Sequence, residues 1–545
     1  MSFDQDCPTA SNAIQLNSRP SNDAHINTEA KEEEIEDESK YPSGLSVAFL
    51  TFGLCLATFT VALDNTIIAT AIPKITTTFE SLDDVGWYGS AYLLTTTALQ
   101  PTFGKIYTFF DVKWTYIIAL VIFEVGSIIC ATAQSSVTFI VGRAIAGVGG
   151  AALFSGGLTI LALIAPMKTR PMYNSILTSM FGIASVVGPL LGGAFTDRLS
   201  WRWCFWVNLP FGGVAIAAVV IIFRMPKRRY IQSGLKEKIM HLDLFGAFLF
   251  ISAIICLLLA LQWGGQTYPW KNSRVWGCLL GFGLMITAFI VVQIRRGEEA
   301  TIPPRVMKQR TVLASTTFIA FLSMGIYTHF YYLPFYFQAV KGTNAVGSGI
   351  RTIPYIVSIT LAAVASGTSI TAVGWYVPFM WFGASVFTVG AGMMRTLQVD
   401  TLSGKWIGYQ VLAGVGAGAA LQIPFVSVQC ALKAKDMPTG NALVGFFNSL
   451  GAAISISVAQ NIFSNTLVRQ LVKKAPEINP ATIINAGATH VREVTPTALI
   501  PAVLQAYNTA VTSSFAYPIA AGGVALFCSF FVEWKSVKER KAGLS

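Results

Sequence analysis

The chain has 545 residues, of which 53% are apolar and only 12% charged, and its mean hydropathy is +0.57. A soluble domain carries about twice that charged fraction, so the composition argues against a globular soluble enzyme. The formal net charge of +11 is unevenly placed: residues 1–42 hold ten Asp/Glu against three Lys/Arg, a net of −7, and the remainder is strongly basic.

In chain order, the acidic tail comes first. Its run Glu29, Glu32, Glu33, Glu34, Glu36, Asp37 and Glu38 reads as disordered. It lacks the basic start and short apolar core of a cleaved signal, so the first apolar span is expected to serve as the internal signal. Fourteen segments then meet the length of about 20 apolar residues that a bilayer core needs. They lie at roughly 45–72, 87–107, 115–134, 137–164, 172–195, 203–223, 243–263, 274–294, 312–340, 345–372, 376–396, 406–432, 438–464 and 514–532. The fold class is therefore an all-α polytopic membrane protein. Seven cysteines, Cys55, Cys130, Cys204, Cys256, Cys278, Cys430 and Cys528, fall inside spans, where they act as small hydrophobes. The basic residues punctuate apolar runs rather than clustering on a soluble face, which excludes nucleic acid as a partner.

An even number of spans puts both termini on one side. Lys and Arg concentrate on that side, at Arg224, Lys227, Arg228, Arg229, Lys236 and Lys238 and again at Arg295, Arg296, Arg305, Lys308 and Arg310, so the termini are expected in the cytosol. Residues 465–513 then face outward; their Leu467–Val472 start reads as an ordinary loop or as an interfacial amphipathic helix.

Ala146-Gly147-Val148-Gly149-Gly150-Ala151-Ala152-Leu153 in span 4 returns in span 12 as Ala413-Gly414-Val415-Gly416-Ala417-Gly418-Ala419-Ala420-Leu421. Small residues at this density let helix backbones approach closely in lipid. If spans 7 and 8 are an insertion, both segments are the fourth helix of a six-helix half. The organisation expected is an acidic cytosolic tail 1–42, a first half 43–223, a connecting region 224–310 with two extra peripheral helices, a second half 311–532 with the outer loop 465–513, and a basic cytosolic tail 533–545. Two parallel halves with a path between them are a transporter plan that works by alternating access.

Ionisable groups in hydrocarbon are costly and rare. In the first half Asp64, Glu124 and Arg143 stand well inside spans. At 1.5 Å per residue they lie about 14, 15 and 9 Å below the outer ends of their helices, in one shallow band. An Arg with two carboxylates leaves one surplus acid, which is what a proton carrier requires; the plainer reading is a structural pair locking spans 1 and 4. In the second half, His329 sits among Tyr327, Phe330, Tyr331 and Tyr332, and reads as a packing residue or as a proton group. Arg351 reads as an interfacial base. Gln410 takes the place of Arg143 under the repeat offset. The aromatic and amide residues of spans 9 and 13 suit a bulky amphipathic ligand, and the cavity candidates are His329, Tyr332, Gln338, Gln410 and Asn448. There is no Walker Gly-Lys-Ser/Thr run and no metal-ligand spacing. No enzyme activity, cofactor or metal is therefore expected, and an ion gradient must supply the energy, with the proton as leading candidate.

Leu63-Asp64-Asn65-Thr66-Ile67-Ile68-Ala69-Thr70-Ala71-Ile72-Pro73 resembles the helix 1 signature of the 14-span drug:proton antiporters of the major facilitator superfamily. Arg143-Ala144-Ile145-Ala146-Gly147-Val148-Gly149-Gly150 resembles the helix 4 motif whose arginine is linked to proton transfer, with Ala146 where glutamine is usual. Gly188-Pro189-Leu190-Leu191-Gly192-Gly193 is similar to the antiporter motif of helix 5, and Trp201-Arg202-Trp203-Cys204-Phe205-Trp206-Val207-Asn208-Leu209-Pro210 is typical of the group. The 2–3 loop, from Gly104 to Lys113, departs from the pattern: the usual aspartate falls on Thr108, and Asp111 comes three places later. The resemblance implies that Gly104 and Lys113 act in gating, and the Phe109-Phe110 form of this loop together with the acidic tail resembles the fungal branch that exports mycotoxins, other secondary metabolites or fungicides.

Independently of that resemblance, Pro189 removes a backbone donor from helix 5, and Gly188, Gly192 and Gly193 leave room for a neighbour to seal against it. The function expected is proton-coupled export of a bulky amphipathic compound, by a monomer in the plasma membrane or in a vacuolar or vesicle membrane. The alternatives are uptake or vacuolar transport of a basic amino acid or siderophore, and, remotely, a non-transporting receptor.

Overall fold

The computed structural model describes residues 44–79, 84–223, 243–265 and 268–538. The acidic tail, the basic loop 224–242 and residues 539–545 of the basic tail lie outside the described residues. Among the described residues, fourteen helices cross the molecule: α1 Gly44–Phe79, α2 Val85–Phe109, α3 Val112–Thr132, α4 Ser136–Ile164, α5 Arg170–Arg198, α6 Trp203–Ile222, α7 Leu244–Trp263, α8 Ser273–Arg296, α9 Arg310–Phe335, α10 Ala345–Val373, α11 Val377–Arg395, α12 Ser403–Ala431, α13 Met437–Lys474 and α14 Thr497–Ser529. The described ends, Gly44 and Lys538, therefore share one side, termed the terminal side below.

Thirteen of these helices are long and apolar enough to cross a membrane by composition. The exception, α2, is diluted by polar side chains that point into the protein: Thr95 Oγ1 donates to the Ala144 carbonyl at 3.0 Å and Thr96 Oγ1 to that of Gly147 at 3.1 Å. Apolar exposure follows the opposite rule. On α3, Trp114, Ile118, Val121, Val125 and Ile128 form one exposed stripe at helical spacing, the face a bilayer covers.

The repeat is a packing device. A Cβ on Gly149 of α4 would meet the Ala119 carbonyl and the Phe123 nitrogen of α3, each at 2.6 Å. Gly416 of α12 would in the same way meet the Gly383 carbonyl and the Phe387 backbone of α11. On their other faces, Gly147 abuts Tyr92 and Thr95 of α2, and Gly414 abuts Tyr355 and Ser358 of α10. Each half thus clamps its fourth helix between its second and third by backbone contact, which only glycine permits.

The end of the chain differs from expectation. The last span begins near Ile500, not 514, because Asn508 and Ser514 lower its apolarity while bonding inward, to the Leu397 carbonyl at 3.1 Å and the Ala459 carbonyl at 3.3 Å. The expected outer loop is also shorter. Residues Leu467–Val472 continue α13, with Leu467 and Leu471 buried in the second half's core, and a surface helix, Pro480–His490, follows.

The two halves meet from the terminal face to mid-depth. Gly104 of α2 lies against Pro438 and Ala442 of α13. Asn174 of α5 reaches Gln429 of α12 at 3.5 Å, Phe154 of α4 meets Phe425 edge-on at 5.5 Å, and Gly182 of α5 abuts Thr360 of α10. The connecting region straps this seam: Lys105 donates to the Glu298 carbonyl at 3.0 Å, and Arg305 pairs with Glu298 at 2.8 Å and with Asp436 of the second half at 2.9 Å. Asp243 anchors the strap by accepting from Gly246 N at 2.8 Å, Gln293 Nε2 at 2.6 Å and Thr301 N at 3.3 Å. α7 fills the groove between α2 and α13 through Phe250 and Phe446, 5.1 Å apart, whereas α8 leaves Trp276, Leu280, Leu284 and Ile294 exposed.

Overpacking a helix contact costs about 1–3 kcal/mol. Gly416→Val is therefore expected to lower the thermal midpoint of the purified protein, whereas Gly408→Ala on the same helix, which meets nothing within 4 Å, leaves it unchanged. Equal midpoints for the two variants would contradict the packing.

Candidate functional site: a buried ion pair in the first half

α1 and α4 carry the site. Ser135 caps α4 by accepting from Thr138 N at 3.2 Å, and Ser136 ties its start to Tyr88 of α2 at 3.0 Å. This places Arg143 two turns inside the protein, 1% exposed, opposite Asp64, 0% exposed. Arg143 Nη1 donates to Asp64 Oδ2 at 2.5 Å, Nε donates to the Tyr88 carbonyl at 2.9 Å, and the guanidinium lies over the Tyr92 ring at 4.6 Å. Asn208 Nδ2 of α6 supplies a second donor to the carboxylate, 3.3 Å from Oδ1, and also donates to Ser127 Oγ of α3 at 3.2 Å. A buried pair offsets the loss of hydration only when such extra bonds satisfy its remaining valences. Four helices and the backbone of α2 do that here.

Glu124 of α3 packs against Gly212 of α6, and both its carboxylate oxygens are buried without a hydrogen-bond partner among the described residues. Asp64 is the charged group that acts on it. Asp64, Arg143 and Glu124 thus occupy one region, with the first two paired and the third not bonded to either.

The Gly-Pro motif of α5 faces α1 immediately beside the pair. A Cβ on Gly188 would meet Thr66, and one on Gly192 would meet the Ile67 carbonyl at 2.7 Å, while Thr66 Oγ1 donates to the Ala184 carbonyl at 2.9 Å. Gly193 faces open space and Pro189 is exposed. In the 2–3 loop the two gating candidates part company. Gly104 lies in the seam between halves, whereas Lys113 caps α6 within the first half, donating to the Val220 and Phe223 carbonyls at 2.8 Å each. Thr108 also reaches the seam, 3.4 Å from Thr439.

The cavity candidates of the second half disperse. His329 is fully buried, with Nδ1 3.2 Å from Tyr355 Oη and its ring between Phe387 and Phe515. Tyr332 is buried and donates to Gln460 Oε1 at 2.7 Å. Gln410 is 1% exposed and donates to the Arg351 carbonyl at 3.0 Å. These three side chains tie helices of the second half together. Asn448, which accepts from Ser323, and Gln338 stay half-buried, as do Tyr327, Phe330 and Phe335, and Tyr331 is exposed. Asn208, Ser127 and the Tyr88 carbonyl were not singled out as site groups from sequence. A lone Asn in an otherwise apolar span was the available signal for Asn208.

Removing one member of a buried pair costs about 3–5 kcal/mol, whereas removing both is much milder. Arg143→Gln is thus expected to destabilise the detergent-purified protein more than the double variant Asp64→Asn, Arg143→Gln. A double variant no more stable than Arg143→Gln alone would show that the pair is not a unit.

Known proteins share this architecture. The sequence model of the Major Facilitator Superfamily matches residues 54–456. "MFS-type efflux pump MFS1" of Trichophyton rubrum is 44% identical over 94% of this chain and 97% of its own. "Efflux pump roqT" of Penicillium rubens is 46% identical over 91% of this chain and 92% of its own, and "MFS-type transporter astH" of Aspergillus oryzae is 46% identical over 93% and 90%. Among solved structures, the proton:xylose symporter XylE superposes with a TM-score of 0.57 at 15% identity, over 92% of this chain and 100% of that one, a likeness of fold. The chain belongs to the Major Facilitator Superfamily and is a membrane transporter, not an enzyme.

Proposed function

We propose that this transporter exports a bulky amphipathic organic compound, such as a secondary metabolite, mycotoxin or fungicide, in exchange for protons. The observation that carries the coupling is the concentration of buried ionisable side chains in the first half: a paired Asp64 and Arg143 with a third acid, Glu124, that has no partner among the described residues. A site with one acid more than it can pair changes its charge when a proton arrives, and that change is what drives a two-state carrier. The direction of transport rests on the relatives named efflux pumps and on the Gly-Pro motif, whose tight contact with α1 suits a carrier that must not leak ions as it turns over.

With the basic loops in the cytosol, the seam from Gly104 to Gly182 closes the cytosolic side, and the state described here faces outward. Protons enter from outside toward the Asp64 region, and substrate leaves by the same face. The exposed Tyr331 and half-buried Tyr327, Phe330 and Phe335 offer rings to an amphipathic ligand. The protein works as a monomer in the plasma membrane, with both termini in the cytosol.

Asp64→Asn removes the charge that pairs with Arg143 while keeping the side-chain shape. Because it leaves Arg143 unpaired, efflux is measured per molecule that reaches the membrane, and on that basis it is expected to lose pH-gradient-driven efflux of amphipathic fluorescent dyes by at least tenfold. Full efflux by this variant would sink the assignment.

A further inference from the structure

The gap between α3 and α6 holds acceptors without donors. Among the described residues, Glu124 Oε1 and Oε2 have no partner, and neither has Asn208 Oδ1, although all three atoms are buried. The two residues share this gap: Glu124 packs on Gly212, one turn along α6 from Asn208, and Asn208 bonds Ser127, one turn along α3 from Glu124. The amide cannot be turned round to relieve the mismatch. Asp64 Oδ1 accepts only, so Nδ2 must face it and Oδ1 must point away. Asn208 is itself 0% exposed.

We propose that the exchangeable proton resides on Glu124, and that Asn208 is a positioning residue that connects it to the Asp64–Arg143 pair. This rests on the proton-coupled reading above and names the carboxyl that reading leaves open. Protonating Asp64 would strip Arg143 of its counter-charge in a buried setting, whereas Glu124 takes a proton without breaking any bond. The proton comes from water on the outer side, adds to the Glu124 carboxylate, and leaves again to water on the other; no other bond changes. The acid O–H supplies the donor that Asn208 Oδ1 lacks. A chain then runs from the Glu124 hydroxyl through the amide to Asp64, and each bond in such a chain polarises the next. When the proton leaves, the amide loses its donor, its hold on Asp64 weakens, and a second negative charge stands near Arg143. The occupancy of Glu124 thereby reaches the contact that joins α1 to α4. The ionisable groups around this path are Asp64 from α1, Tyr92 from α2, Cys130 from α3, Arg143 from α4 and Cys204 from α6.

Infrared difference spectroscopy of the full-length protein in lipid nanodiscs, titrated with pH, reads this without a transport substrate. A buried protonated carboxyl gives a carbonyl stretch of its own. The expected band is present in the wild type and in the double variant Asp64→Asn, Arg143→Gln, which removes the pair without freeing a cation, and lost in Glu124→Gln. In Asn208→Leu it should shift to higher frequency, because the acid loses its acceptor. Ser127→Ala, a milder change that keeps α6 in place should Asn208→Leu fail to fold, is expected to shift it less in the same direction. A band that survives Glu124→Gln, or that disappears in the double variant Asp64→Asn, Arg143→Gln, overturns the assignment. A band unmoved in both Asn208→Leu and Ser127→Ala overturns the role of Asn208. Efflux that ignores a pH gradient, with the band behaving as expected, would refute proton coupling and leave this linkage standing.

Discussion

The molecule is organised around the cost of placing charge in hydrocarbon. Arg143 and Asp64 are almost fully buried, and a lone ion at such a depth is costly enough that a chain rarely retains it. The pair is held by a network of donors from α6 and of acceptors from the α2 backbone. That network dictates where α1, α2, α4 and α6 stand. The glycines of α4 and α5 follow from it, since helices must come within backbone contact for short polar bonds to form between them.

The second half repeats the scaffold without the charge. Gln410 stands where Arg143 stands and likewise donates to a backbone carbonyl of its half's second helix, at Arg351. It therefore keeps the structural duty of the arginine and lacks its electrostatic one. The first half thus keeps a buried ion pair where the second keeps a neutral amide. The strap through Lys105, Glu298, Arg305 and Asp436 links both to the connecting region on the terminal side. Closure of that side thus involves a segment that a twelve-helix arrangement would not contain.

Much of this was legible in the sequence because lipid imposes a one-dimensional rule: long apolar runs are spans, and exceptions stand out. Asp64, Glu124 and Arg143 stood out for that reason, and the repeat placed two glycine stretches on equivalent helices. Where polar side chains serve the interior, the rule misleads. The first turns of α14 look like a loop because Asn508 and Ser514 spend their polarity on buried carbonyls. His329 and Tyr332 sit in a run of aromatics, and nothing in a linear pattern tells a wall residue from one packed inside a bundle. Asn208 does not stand out in the linear pattern, since its meaning depends on two partners far away in the chain.

On the proposed function, substrate and protons move in opposite directions through this one site. The direct measurement is proton flux in proteoliposomes holding an enclosed pH indicator, loaded with an amphipathic dye that intact cells expressing the protein extrude. With equal pH on both sides, dye leaving through the carrier should draw protons into the lumen, and acidification should track dye loss. Dye movement with no change in lumenal pH, or with protons leaving alongside it, would contradict exchange.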